Sequence, residues 1–232
     1  MTQTENKNIP ISHIQKLIGI RMLKSKRTKP CFYLELNADV TYMMKFRSQL
    51  RKRIGQKVTT NTFYLHAIGN AAAKFPLVLA NIAVNRVKIP DSVNLGFAVN
   101  APQGLVVPVI GGIDRMTIKE IAAKETELIA KARSNQLRYD DLQSENIAMS
   151  NLGPYGIDSF IGIVPPHVTT ILTIGNVDRR VCVKDGRAEV CRKVNITLAA
   201  DHSVVNGVYA AKFLSLVKQF LEAPEGLVEE NA

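Results

Sequence analysis

The chain has 232 residues, 46% of them hydrophobic and 22% charged, with three cysteines, no tryptophan and a formal charge of +10. That is an ordinary globular composition, and a chain this long buries roughly 70% of its unfolded surface without covalent staples, so disordered, collagen-like and disulfide-framework classes are excluded. No apolar run reaches the roughly 18 residues of a membrane helix, the polar start MTQTENKNIP lacks a signal-peptide core, and Cys31, Cys182 and Cys191 suit a reducing, cytoplasmic compartment.

Residues 1–8 read as a disordered tail. Pro10 and Ser12 open an amphipathic helix with Ile14, Leu17, Ile18 and Met22 at helical spacing, ended by the basic knot Lys24–Lys29 before Pro30. Cys31–Val40 is aromatic and partly alternating and reads as a strand. Residues 41–54 read as a helix with Met43, Met44, Leu50 and Ile54 inward and a basic outer face. Residues 1–60 carry 13 Lys and Arg against Glu5, Glu35 and Asp39, so the whole excess charge sits there. No zinc-finger spacing or aromatic RNA motif accompanies that charge, which argues against nucleic acid. A solvated basic face, or a site for a small polyanion, remains.

A more apolar helix is predicted over 60–75, stopped by Pro76. Short strands follow at Val93–Asn100 and Leu105–Ile110, then a charged helix over 117–134 whose Thr117 and Glu120 form a capping box. Asn146–Asn151 and Val168–Val177 read as strands. Arg180–Val183 and Ala188–Ala200 bracket Lys184-Asp185-Gly186-Arg187, a hairpin turn in which Asp-Gly tolerates positive φ. A last helix runs from near Gly207 to Pro224. With no repeat, low-complexity tract or linker, the pattern is one mixed α/β domain over 9–232.

His13, His66 and His167 have no chemical neighbours in sequence and are expected to be structural or exposed. No histidine pair has metal-ligand spacing and the cysteines are too dispersed for zinc, so no metal is expected. Cys182 and Cys191 flank the hairpin and are expected to face one another as reduced packing thiols. There is no Gly-rich phosphate loop and no nucleophile elbow. His202 differs: it sits at a strand-to-helix junction, where reactive groups are often displayed. It is either catalytic or a turn histidine bonding its own backbone.

The segment Asp201-His202-Ser203-Val204-Val205-Asn206-Gly207 resembles the D-H-R-V-V-D-G signature of the 2-oxo acid dehydrogenase acyltransferases, the dihydrolipoamide acyltransferase cores of the pyruvate, 2-oxoglutarate and branched-chain complexes. Ile11–Thr41, Asn94–Val99, Pro102–Ile110, Ser150-Asn151-Leu152-Gly153 and Phe213–Pro224 are also similar to stretches of that family, in the same order. The resemblance implies a chloramphenicol acetyltransferase-like α/β fold, a two-layer sandwich with a mixed β-sheet that forms trimers. It implies acyl transfer between dihydrolipoamide and coenzyme A, with His202 as general base and Ser150 donating to the oxyanion.

The family's acid falls on Asn206 and its arginine on Ser203. These departures leave orientation to Asn206 but no charge, and they keep open a catalytically weak assembly core. A transferase acting on a free small-molecule acceptor is the other alternative. Residues contacting coenzyme A are not identifiable from the sequence. Before residue 9 this sequence has only a short polar tail, as an excised core or a natural short protein would, so the lipoyl group is expected from another domain or protein. The implied partners are a homotrimer, a cubic or dodecahedral core built through Leu227-Val228, and the other subunits of such a complex. The expected location is cytoplasmic, or the mitochondrial matrix in a eukaryote.

Overall fold

The computed structural model describes residues 9–83 and 86–229; the tail 1–8 and the last three residues lie outside them. The helices are α1 (His13–Thr28), α2 (Thr41–Ile54), α3 (Thr60–Lys74), α4 (Ile118–Arg133), α5 (Gly207–Glu222) and α6 (Pro224–Glu229). The strands are β1 (Cys31–Asp39), β2 (Asn81–Ala83), β3 (Arg86–Lys88), β4 (Leu95–Phe97), β5 (Val99–Ala101), β6 (Gly104–Val106), β7 (Val109–Ile110), β8 (Ile147–Asn151), β9 (Thr170–Lys184) and β10 (Arg187–Asp201). No helix among the described residues is long and apolar enough to cross a membrane.

Local chemistry sets the boundaries. Ser12 with Gln15, Thr59 with Thr62, and Thr117 with Glu120 form reciprocal capping boxes that start α1, α3 and α4. Gly55, at φ 65°, supplies the left-handed cap that ends α2. Asp185 and Gly186, at φ 49° and 75°, make the two-residue turn joining β9 to β10.

Six strands form a mixed sheet in the order β1-β10-β9-β8-β4-β7, with β8 parallel to β4 and β9 and the other pairs antiparallel. Strand alternation divides its faces. Val194, Ile196, Leu198 and Ala200 of β10 enter the main core, with Phe63 and Ile68 of α3 and Phe213 and Val217 of α5. On the other face Ala148, Ile171 and Ala199 meet Val164 and Val168, from a loop, with Cys31 packed alongside. The result is two layers, helices on one face of a mixed sheet, with the second face half covered.

Several expectations need correction. Val93–Asn100 is two strands, β4 in the six-stranded sheet and β5 paired with β6 in a separate ribbon, and Leu105–Ile110 is two strands divided at Pro108, which has no N–H to give. The two expected segments at 168–183 are one long strand, β9. The hairpin β2–β3, exposed on both faces, and α6, opened by Pro224 at its first position, were not anticipated. Leu17 and Ile18 of α1 are exposed, so its apolar stripe has no partner within the protomer.

Candidate active site

β10 ends at Asp201, in register with Cys31 at the start of β1. The Asp201 carbonyl accepts from the amides of Val204 and Val205, and its carboxylate Oδ1 accepts from the Ser203 amide at 2.9 Å. This turn carries His202. Its amide donates to Pro30 O at 3.0 Å and its ring stands edge-on to Phe32, centroids 4.8 Å apart. Neither ring nitrogen bonds a described residue, and the side chain is exposed. The imidazole is thus held from behind with both nitrogens free. Phe32, which backs the imidazole, is not legible in the sequence, because only the pairing of β1 with β10 brings it beside His202.

Asn206 is the N-cap of α5: its Oδ1 accepts from the Tyr209 amide at 2.9 Å. Aspartate and asparagine serve equally at such a position. The structure therefore gives this side chain a role in aiming the helix start after His202, a role that needs no charge.

Ser150 lies on β8, opposite Thr173 of β9. Its neighbour Met149 enters the main core while Ala148 belongs to the loop-covered face, so Ser150 points to that second face with Ala148. It is half-buried and its hydroxyl bonds no described residue. Asn151 beside it donates to Asn61 Oδ1 at 3.3 Å and accepts from the Gly153 amide at 2.9 Å, which secures the strand end.

The structure does not bring Ser150 and His202 together within one protomer. Ser150 is level with Thr173, and Thr173 with Thr197 on β10. His202 lies five residues beyond Thr197, so the two backbones are about 17 Å apart along the strands and about 10 Å across them. Side chains of this size do not close a gap of about 19 Å.

Two clefts flank these positions. Lys26, Lys29, Cys31, Tyr33, Ile163 and Val164 line a cavity of about 270 Å³ beside Pro30. Lys29 Nζ donates to the carbonyls of Pro165 and Val168; burial lowers its pKa, against the pull of the Asp201 carboxylate. Burial and Asp201 push the Cys31 thiol up, which opposes a thiolate there. Arg51, Lys52, Gln56 and Lys57 line a second cavity of about 550 Å³. It lies at the C-terminal end of α2.

The remaining histidines are elsewhere. His13 opens α1 and is exposed, and His167 Nε2 lies 2.6 Å from Glu145 Oε1. His66 is fully buried in α3 with neither nitrogen bonded, and burial lowers its pKa to about 4. Cys182 is in register with Glu189, not with Cys191, and the two thiols are diagonal neighbours. They converge with Asp39, their ligand atoms all within 4.8 Å of one another, so the dispersion seen in sequence does not hold in space.

Comparison with known proteins fits this geometry. Residues 3–229 match the family model of the 2-oxoacid dehydrogenases acyltransferase catalytic domain. The dihydrolipoyllysine-residue acetyltransferase component of the Rickettsia bellii pyruvate dehydrogenase complex is 33% identical over 93% of this chain and 52% of its own length. The chain thus spans about half of that relative. A structure from work on the role of one serine, one histidine and one asparagine in the catalytic mechanism of Azotobacter vinelandii dihydrolipoamide acetyltransferase aligns with TM-score 0.90, 26% identity and coverage of 97% and 94% of the two chains. The cubic core of a pyruvate dehydrogenase multienzyme complex aligns equally well at 27% identity, again over 97% and 94% of the chains. Chloramphenicol acetyltransferase, at 15% identity, shares the fold (TM-score 0.58, 91% and 96% covered). The chain belongs to the 2-oxoacid dehydrogenase acyltransferase catalytic-domain family.

Proposed function

We propose that residues 9–232 form an acyltransferase core that moves an acyl group between a dihydrolipoyl thiol and coenzyme A. The observation that carries this reading is a spacing. The serine, histidine and asparagine of the Azotobacter enzyme are separated by 52 and 4 positions. Ser150, His202 and Asn206 stand at the same separations. Asparagine at the third position is therefore compatible with transfer, and the N-cap role of Asn206 explains why.

The chemistry follows from the free groups. A thiol with pKa of about 8.5 is mostly protonated at neutral pH and attacks only as thiolate. His202 accepts the thiol proton as sulfur attacks the thioester carbonyl. The carbonyl oxygen takes up the negative charge, and the Ser150 hydroxyl donates to it, a contribution of about 3 kcal/mol. The tetrahedral intermediate collapses, the C–S bond of the departing thiol breaks, and His202 returns the proton to that sulfur. No acyl-enzyme forms, in keeping with free, unactivated cysteines.

The distance between Ser150 and His202 supports a site shared by two protomers, one giving the imidazole and the other the hydroxyl. Exposed Ile11, Leu17, Ile20 and Leu23 near and along α1, with Ile161 and Ile163 over the second sheet face, supply the apolar surface such a contact needs. A trimer fits this, since a head-to-tail contact with a three-fold rotation closes into a ring and pairs each imidazole with a neighbour's hydroxyl. The basic cleft of Arg51, Lys52 and Lys57 supplies the charge that the phosphates of coenzyme A require. The lipoyl group comes from another domain or protein, and the assembly works within a 2-oxo acid dehydrogenase complex. Val228 is packed in the protomer's own core, so it is not a free contact for building a cubic or dodecahedral shell.

The test is a thiol-transfer assay with acyl-CoA offered to dihydrolipoamide and to small hydroxylated acceptors. Transfer to dihydrolipoamide is expected, abolished by His202→Ala and reduced about 100-fold by Ser150→Ala. Acylation of the hydroxylated acceptors alone, or full activity in Ser150→Ala, contradicts the reading.

A further inference from the structure

Remote from both His202 and Ser150, the far end of the sheet gathers a second chemical cluster. β1 ends at Asp39, in register with Lys193 of β10, and Lys193 faces Asp178 of β9. Two residues along β10 is Cys191, opposite Arg180, and two further is Glu189, opposite Cys182. Alternation puts Asp39, Cys191, Glu189 and Cys182 on one face. Cys191 Sγ, Cys182 Sγ and a carboxylate oxygen of Asp39 all lie within 4.8 Å of one another. Cys191 is buried, its Sγ donating to Arg180 O at 3.4 Å and hydrogen-bonded with the Cys182 thiol. Cys182 is partly exposed, and the Cys191 thiol beside it is the largest cause pushing its pKa up. Asp39 Oδ1 accepts from the amide and hydroxyl of Thr41, which aims the other oxygen, Oδ2, at Lys184 Nζ, 2.9 Å away.

We propose that Cys182, Cys191 and Asp39 form a binding site for a thiophilic divalent cation of the zinc class. A tetrahedral zinc ion with bonds of about 2.3 Å to sulfur and about 2.0 Å to oxygen holds its ligand atoms about 3.5–3.8 Å apart. The cluster needs to contract by only about 1 Å from its upper limit to reach that geometry. Two thiolates and a carboxylate are a donor set that selects zinc over magnesium or calcium. A water molecule or Glu189, in register with Cys182 and exposed, completes four ligands.

Diagonal placement argues for a metal and against a disulfide. Diagonal Cα atoms lie about 7–8 Å apart, beyond the usual span of a disulfide, whereas a metal bridges that gap. Binding releases both thiol protons to solvent and displaces Lys184, half exposed, from the carboxylate. No electron transfer is involved. The ion would clip the end of β1 to the long hairpin of β9 and β10.

The test uses the full chain, reduced and stripped with chelator, under anaerobic conditions. Cobalt(II) titration is expected to give a near-ultraviolet sulfur-to-metal charge-transfer band saturating at one ion per chain and bleached by zinc. The band should fall by about half in Cys182→Ser and vanish in the double variant with Cys191→Ala. Zinc should raise the thermal midpoint of the wild type and not of Cys182→Ser, which alters a partly exposed side chain and keeps the core. Lys184→Gln, which removes the competing cation, should tighten binding several-fold. Absence of the band in reduced wild type overturns the proposal, as does equal uptake by the double variant. A Cys182–Cys191 disulfide forming in place of metal uptake overturns it too.

Discussion

Asn206 shows why a single substitution can look like a lesion in sequence and not be one. In the signature it replaces an acid four residues after the histidine. In the fold its oxygen caps α5, bonded to the Tyr209 amide, a task in which asparagine and aspartate are equivalent. Asn206→Asp is therefore expected to leave both thermal stability and transfer rate nearly unchanged. Asn206→Ala should cost about 1 kcal/mol in denaturant unfolding. A large gain in activity for Asn206→Asp would show that the charge matters after all. His66 makes a second residue-scale case. Fully buried and unbonded, it is held neutral, its pKa lowered from 6.5 to about 4. The folded state resists a proton that the unfolded state accepts. Its contribution is fully present above pH 6.5 and is lost as pH falls toward 4, by about 3 kcal/mol there. Thermal midpoints across that range should drop less steeply in His66→Leu than in the wild type.

Among the elements, those whose ends are written in local chemistry were legible in the sequence. The capping box at Thr117, the Asp-Gly turn and the bounds of α2 and β1 needed only neighbours within four residues. What was not legible depends on contacts distant in sequence. β2 and β3 are exposed on both faces and carry no alternation. The split between β4 and β5 reflects a change of partner, from Met149 of β8 to Val106 of β6, and the strand end of Ser150 is shaped by backbone against backbone. There, Gly175 of β9 packs so closely under the following loop that an added Cβ would stand 1.9 Å from Asp158 O, and one on Gly153 would stand 2.5 Å from Gly175 O. Gly175→Ala is expected to push that loop away from β9, costing about 3 kcal/mol or more and lowering transfer along with stability. Wild-type unfolding behaviour in that variant would show that the close approach is not needed.

At the scale of the whole molecule, the sequence points to His202 by its junction and motif and to Ser150 by its motif alone, as the proposed pair. Their mutual position is not legible there, because it depends on strand order and register. That register sets the two groups about 19 Å apart in a protomer and leaves the apolar stripe of α1 exposed. Both features are resolved by association, so light scattering should give three times the 25.6 kDa chain mass or a multiple of it. A stable monomer would remove the shared site.

Co-expression of His202→Ala and Ser150→Ala chains under different tags, followed by purification of the mixed oligomer, tests the shared site most directly. Each variant alone lacks one group at every site, whereas a mixed ring restores both groups wherever the imidazole and the hydroxyl come from different chains. Every mixed trimer, of either composition, then holds one complete site of three, so transfer activity near a third of the wild-type value is the predicted result; activity no greater than that of the two variants measured separately would contradict it.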